Sequence, residues 1–289
     1  MVTGYFTKEL YGDNATLRRK AERLLVPWLA YSVLMYVLFR PEPLLKNIAR
    51  TLYAGSFNVT FYSYPWWFVN AMMVALILFS LLNRVKIGGG ITALACYILI
   101  HISFLWEALP IPLPWSIDNA LGAMVYIYVG WRMKEYVFRW THLWVLIIPV
   151  LFIWINWHFR WHYHLNMKDM HFENALLDVV VPQSFTFLFY VVSLGLSRIP
   201  YVSRALAYVG MSSLTIFFVH AAVLHLVKPD MGALISVVTS VIVGVAMNML
   251  WSTNAYTRYL FLGHRKRAAR EVEGTKVHKE TEENRIEVR

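Results

Sequence analysis

The feature that most restricts what this chain can fold into is a recurrence. About eight apolar stretches, near residues 24–39, 65–82, 90–107, 117–131, 140–157, 174–197, 204–226 and 232–252, follow one another with polar connections between them. A helix rising about 1.5 Å per residue needs roughly 17 to 25 apolar residues to cross about 30 Å of hydrocarbon, and most of these stretches have that length. Hydrocarbon offers no water to backbone N–H and C=O groups, so such segments must satisfy them internally as helices. Composition agrees, since 58% of the 289 residues are hydrophobic and only 15% are charged. The expected fold is therefore an all-α polytopic integral membrane helix bundle of about eight transmembrane helices. Pro27, Pro149 and Pro182 fall inside spans, which a bundle tolerates where neighbours satisfy the freed carbonyls.

Basic residues set the expected orientation, because short cytoplasmic loops carry an excess of Lys and Arg. With both termini cytoplasmic, the inner loops hold Arg84, Lys86, Arg132, Lys134, Arg139, Arg198 and Arg204, whereas the longer outer connections hold Arg40, Lys46, Arg50, Arg160, Lys168 and Lys228. The formal net charge of +10 reads mostly as this topology signal, and nothing else points to nucleic acid. Three regions follow: a basic cytoplasmic segment over 1–23, a membrane domain over 24–254, and a disordered charged cytoplasmic tail over 255–289 whose basic start meets anionic lipid. The first 23 residues hold no apolar core of a cleavable signal peptide. The single Cys96 excludes a disulfide within the chain.

Polar side chains inside a membrane bundle are costly, so each is a candidate for function. In this orientation Trp66, Trp67, Asn70, His101, Glu107, Asp118, Asn119, Asp178, Gln183, His220 and His225 gather in the outer half, while His142 lies at an inner, interfacial end. An outward-facing pocket would explain the asymmetry, and so would the polar ends common to membrane helices. His220 is the deepest of the imidazoles, about 24 Å from the inner end of its span at 1.5 Å per residue. The outer loop WHFRWHYHLNMKDMH carries His158, His162, His164 and His171, a spacing that could approach a metal. Without a cysteine partner, and rich in Trp and Tyr, it reads instead as an interfacial aromatic loop, and no metal is expected.

Four stretches in order, LRRKAERLLVPWLAYSVL, YPWWFVNAMMVALILFSLL, IDNALGAMVYIYVGWRMK and VGMSSLTIFFVH, resemble successive landmarks of the acyltransferase 3 family, closest to its fucose 4-O-acetylase-like membrane acetyltransferases. The resemblance covers roughly residues 3–225. It implies a bundle of about ten helices that moves an acyl group, most simply acetyl, from cytoplasmic acyl-CoA to a hydroxyl of an envelope or exported carbohydrate or its lipid-linked precursor, in a bacterial inner (plasma) membrane. It also implies that the basic run before the Pro-Trp of LVPW holds the donor: Arg18, Arg19, Lys20 and Arg23, in which the family's paired-arginine pattern stands as Lys20-Ala-Glu-Arg23. Cations there suit the phosphates of coenzyme A, although positive-inside charge explains the same residues.

The family carries an arginine and a catalytic histidine on its first membrane helix, and its second ends in a segment like SGYF. MVTGYF at the start of this sequence is similar to that ending, so the resemblance implies that the first helix and most of the second have no counterpart here. Two readings stay open: a native chain with an upstream helical pair, or a shortened relative that is inactive, borrows the helices from a partner subunit or second copy, or uses His220. Imidazole is a suitable general base near neutral pH. Trp67, Asn70 and Asn119 are the expected acceptor side, an aromatic face and amides for a sugar and its hydroxyls. A non-enzymatic glycan or lipid translocation component and a degenerate scaffold are the alternatives to an enzyme.

Overall fold

The computed structural model describes residues 14–40, 43–53, 62–84, 89–105, 113–136, 144–160, 163, 165–168, 171, 173–174, 176–227 and 232–264. Lys86, Glu107, Arg139, His142, His162, His164, Lys228, the first 13 residues and the tail beyond 264 lie outside them. The described chain is helical: α1 (Asn14–Phe39), α2 (Leu44–Tyr53), α3 (Trp67–Arg84), α4 (Gly89–Leu105), α5 (Ile117–Tyr136), α6 (Ile147–Phe159), α7 (Leu177–Leu196), α8 (Pro200–Met211), α9 (Ser213–Leu226), α10 (Ala233–Ser252) and α11 (Ala255–Leu262). Each of the eight apolar stretches overlaps one of these helices or, at 204–226, the α8–α9 pair. Among the described residues four helices are individually long and apolar enough to cross a membrane, and α8 with α9 makes a fifth if the bent pair is one span. The stretch at 204–226 is thus not one straight helix: the chain turns by 70° at Ser212. Pro200 at the first turn starts α8 without losing a hydrogen bond, because that N–H has no intrahelical partner.

Two apolar cores hold the helices. One joins α3, α4 and α5 through Ala71, Ala75, Phe79, Cys96, Ile100, Ala120 and Met124. The other joins α1, the turn before α3, and α9 through Trp28, Tyr31, Met35, Trp66, Val69, Phe218 and Val219. In hydrocarbon the lipid is as apolar as Leu, so helix pairs gain most where small residues allow close approach. Ser236, Ser240 and Gly244 supply such a seam, one per turn and all buried on α10. A Cβ at Gly244 would lie 2.8 Å from the Cα of Ile216 on α9.

Residues 255–262, expected as the start of a disordered charged tail, instead form α11. Asn254 caps it with a side-chain acceptor for the Tyr256 N–H at 2.8 Å. Gly263, at φ +65°, ends it with its N–H on the Tyr259 carbonyl. Phe261 stacks on Trp251 at 4.2 Å and meets the edge of Tyr31 at 5.2 Å, which folds α11 back onto α1 and α10. Aromatic burial, not charge, decides the path of this segment.

Candidate functional site

Among the described residues, two of the cavities between the helices share a lining residue, Met72 of α3. The larger, about 680 Å³, is walled by α1, α3, α10, α11 and the α8–α9 bend. Lys20 and Arg23 stand three residues apart, hence on one face of α1, and both reach it. From the other end of the chain come Arg258 on α11 and His264 just beyond it. Among the described residues none that lines this cavity is acidic. The bend puts Gly210, Met211, Ser213 and Leu214 in the wall, so the N-terminus of α9, the positive end of its dipole, borders the same space.

Gly263 explains why His264 sits there. A Cβ on it would lie 2.5 Å from the Arg23 carbonyl oxygen and 2.9 Å from the Arg23 Cα, so the end of α11 touches the α1 backbone. Partial burial, then the charges of Arg23 and Arg258, hold the His264 imidazole below its ordinary pKa. Arg258 spends one N–H on the Ser252 carbonyl at 2.5 Å and retains the rest of a five-donor fork. Arg18 and Arg19 are exposed on α1 and line neither cavity, and the Arg18 Nε donates to Glu22 Oε1 at 2.8 Å.

The smaller cavity, about 170 Å³, lies between α3 and α5 and is lined by Trp67, Phe68, Asn119 and Tyr126, with Met167 from the connection between α6 and α7. Asn119 is fully buried, yet its Oδ1 and Nδ2 have no hydrogen-bond partner among the described residues. The chain enters α5 under strain, with Trp115 at φ 59° and Ser116 at φ 52°, a left-handed backbone that side chains rarely adopt. Asp118 fastens this entry by accepting the N–H of Asn119 at 2.9 Å. Asn70 is buried but lines neither cavity.

The connection between α6 and α7 is tied down beside this cavity. Tyr163 donates to the Asp178 carboxylate, whose other oxygen accepts the Asn174 N–H at 3.0 Å, and the Lys168 ammonium sits 3.9 Å from the centre of the Tyr64 ring. Burial and the bond to Asp178 push the Tyr163 phenol well above its ordinary pKa. Among the described residues no three His, Cys, Asp or Glu converge where a metal would sit. His158 lies flat on Trp154 at 5.3 Å.

His220 is half-buried on α9 and lines neither cavity. Its Nδ1–H donates to the Phe217 carbonyl at 2.8 Å, and because a carbonyl only accepts, Nε2 is left as the acceptor nitrogen. The Phe217 ring lies 6.0 Å from the imidazole and 5.7 Å from Phe68, a wall residue of the smaller cavity, so one aromatic ring stands between. Tyr126, Met72, Arg258 and His264 are residues of these cavities that the sequence did not single out. Residues 1–256 match the family model Acyl_transf_3, described as an acyltransferase domain. No curated protein and no solved structure matches the chain.

Proposed function

The chain belongs to the acyltransferase 3 family, and from that membership we propose that this membrane acyltransferase takes an acyl group, acetyl in the simplest case, from acyl-CoA in the larger cavity to a carbohydrate hydroxyl in the smaller one. The observation that carries the proposal is the shared wall: a cationic cavity and an aromatic, amide-bearing cavity meet at Met72. Lys20 and Arg23 suit the phosphates of a coenzyme A, and about 680 Å³ is in the range that small-ligand sites occupy. Trp67 and Tyr126 offer ring faces, and Asn119 offers a donor and an acceptor to sugar hydroxyls. In this reading the cationic cavity faces the cytoplasm of a bacterial inner membrane, with both termini inside, and the acceptor is an envelope glycan or its lipid-linked precursor.

The reaction balances without a further reagent. A base takes the proton of the acceptor hydroxyl, the oxygen attacks the thioester carbonyl, a C–O bond forms as the C–S bond breaks, and the departing thiolate receives the proton. His220 is the proposed base, through Nε2, and needs Phe217 or Phe68 to turn aside for the acceptor. Liposomes containing the full chain, radiolabelled acetyl-CoA and a lipid-linked saccharide test this. Base-labile acetyl on the saccharide in proportion to released thiol supports it. In the native host, deletion that leaves glycan acetylation intact while unaltered glycan accumulates inside supports translocation instead, and ester formation that survives His220→Ala removes the base assignment.

A further inference from the structure

The C-terminal helix carries charge into the cavity assigned to the donor, although the membrane domain reads from sequence as ending before it. We infer that α11 completes a phosphate-ester site, with Arg258 and His264 gripping the ligand together with Lys20 and Arg23; the identity of that ligand as a coenzyme A rests on the function proposed above. The geometry carries this. Arg258 and His264 line the same cavity as Lys20 and Arg23, across from apolar Met72 and Leu76 of α3, with Asn248 and Ser252 of α10 and, among the described residues, no acid in the lining. Gly263 rests on the backbone of Arg23, so His264 is held where the α1 cations are. Phe261, between Tyr31 and Trp251, anchors the helix against being drawn away. A planar guanidinium fork fits phosphate oxygens in pairs, and Lys20, Arg23 and Arg258 around one cavity, with the His264 imidazole as a further N–H donor, suit a polyanion.

Proton linkage follows from the same arrangement. Partial burial and the neighbouring charges of Arg23 and Arg258 hold His264 neutral at a pH where a free imidazole begins to protonate. An anion neutralises those charges and raises the imidazole pKa, so binding takes up a proton. Affinity is then highest at the acid side and falls as pH rises through the pKa of the bound state.

The test is equilibrium binding of coenzyme A and of pantetheine, the same thiol arm without phosphate, to the full chain in phosphatidylcholine nanodiscs. Arg258→Gln is expected to weaken coenzyme A about tenfold or more, the loss of a charge-assisted contact, with pantetheine unchanged. Arg258→Lys should keep part of the affinity, and Arg204→Gln, an exposed cation away from the cavity, all of it. His264→Gln should remove the extra pH dependence seen between about pH 5.5 and 8, titration of the ligand being common to both proteins. Full affinity in Arg258→Gln and His264→Gln while Arg23→Gln binds poorly overturns the role of α11 and leaves the donor reading standing. Arg258-dependent binding of inorganic pyrophosphate without binding of coenzyme A keeps the phosphate site and defeats the donor reading. A phosphatidylglycerol molecule that copurifies with the wild type, blocks coenzyme A and is lost in Arg258→Gln identifies a lipid headgroup as the source of the phosphate.

Discussion

Asn119 shows how a single residue separates stability from use. A buried amide without partners costs about 1–3 kcal/mol, and a fold gains nothing by keeping one. Replacing it with the similarly sized Leu removes that cost, so Asn119→Leu is expected to leave resistance to denaturant equal or higher while acyl transfer to the saccharide falls at least tenfold, a trade expected at a working site. Loss of stability in this variant would show that the amide serves the fold. His220 poses the opposite question, because its Nδ1–H already belongs to α9. His220→Gln should keep the helix and lower transfer by about 100-fold or more with coenzyme A affinity intact, the range general-base removal gives. Equal activity would leave His220 a packing residue. Trp67 and Asn119 were legible as cavity residues because a ring and an amide stand out in an apolar span. Asn70 stood out equally yet lines neither cavity, since sequence reveals depth but not which way a helix face turns.

Among the elements, α1, α3, α7 and α10 were legible because their length and apolar character meet the demand of the bilayer, whereas α11 was hidden by its charged sequel. The signals for α11 were present nonetheless: Asn254 and Gly263 bracket AYTRYLFL as an N-cap and a left-handed C-cap do. The basic run immediately after Gly263 drew the boundary too early. The bend at Ser212 was less legible, since GMSS reads as easily inside a span. Gly263 gives α11 a direct test. Gly263→Ala forces an L residue into the left-handed region, about 1–2 kcal/mol, and drives a Cβ into the α1 backbone, about 1–3 kcal/mol more. The helix should therefore loosen without any change of charge. Hydrogen exchange across residues 255–262 should rise in this variant relative to wild type while α3 and α5 stay protected, and unchanged protection would mean that Phe261 alone holds the element.

At the scale of the whole molecule, the arrangement that matters joins residues from both ends of the chain. Lys20 and Arg258 share a cavity although α1 and α11 lie more than 200 positions apart in sequence, and no periodicity within either segment discloses it. The same holds for Met72, one apolar residue in an apolar helix, whose place between two cavities exists only once α1, α5 and α9 have closed around α3. Methionine suits a partition, because an unbranched and flexible side chain fills an irregular wall and moves at small cost. If the acyl carbonyl meets the acceptor oxygen at this wall, its shape sets their approach, and a displacement of about 1 Å costs on the order of 100-fold in rate. Met72→Trp is therefore expected to lower transfer by that order while coenzyme A affinity changes far less, because in the proposed donor site the phosphates would be held at the cationic side of the cavity by Lys20, Arg23 and α11. Measured together, the two quantities decide the point. A parallel loss of both would make Met72 part of the donor site only, and retention of both would place the crossing of the acyl group elsewhere in the bundle.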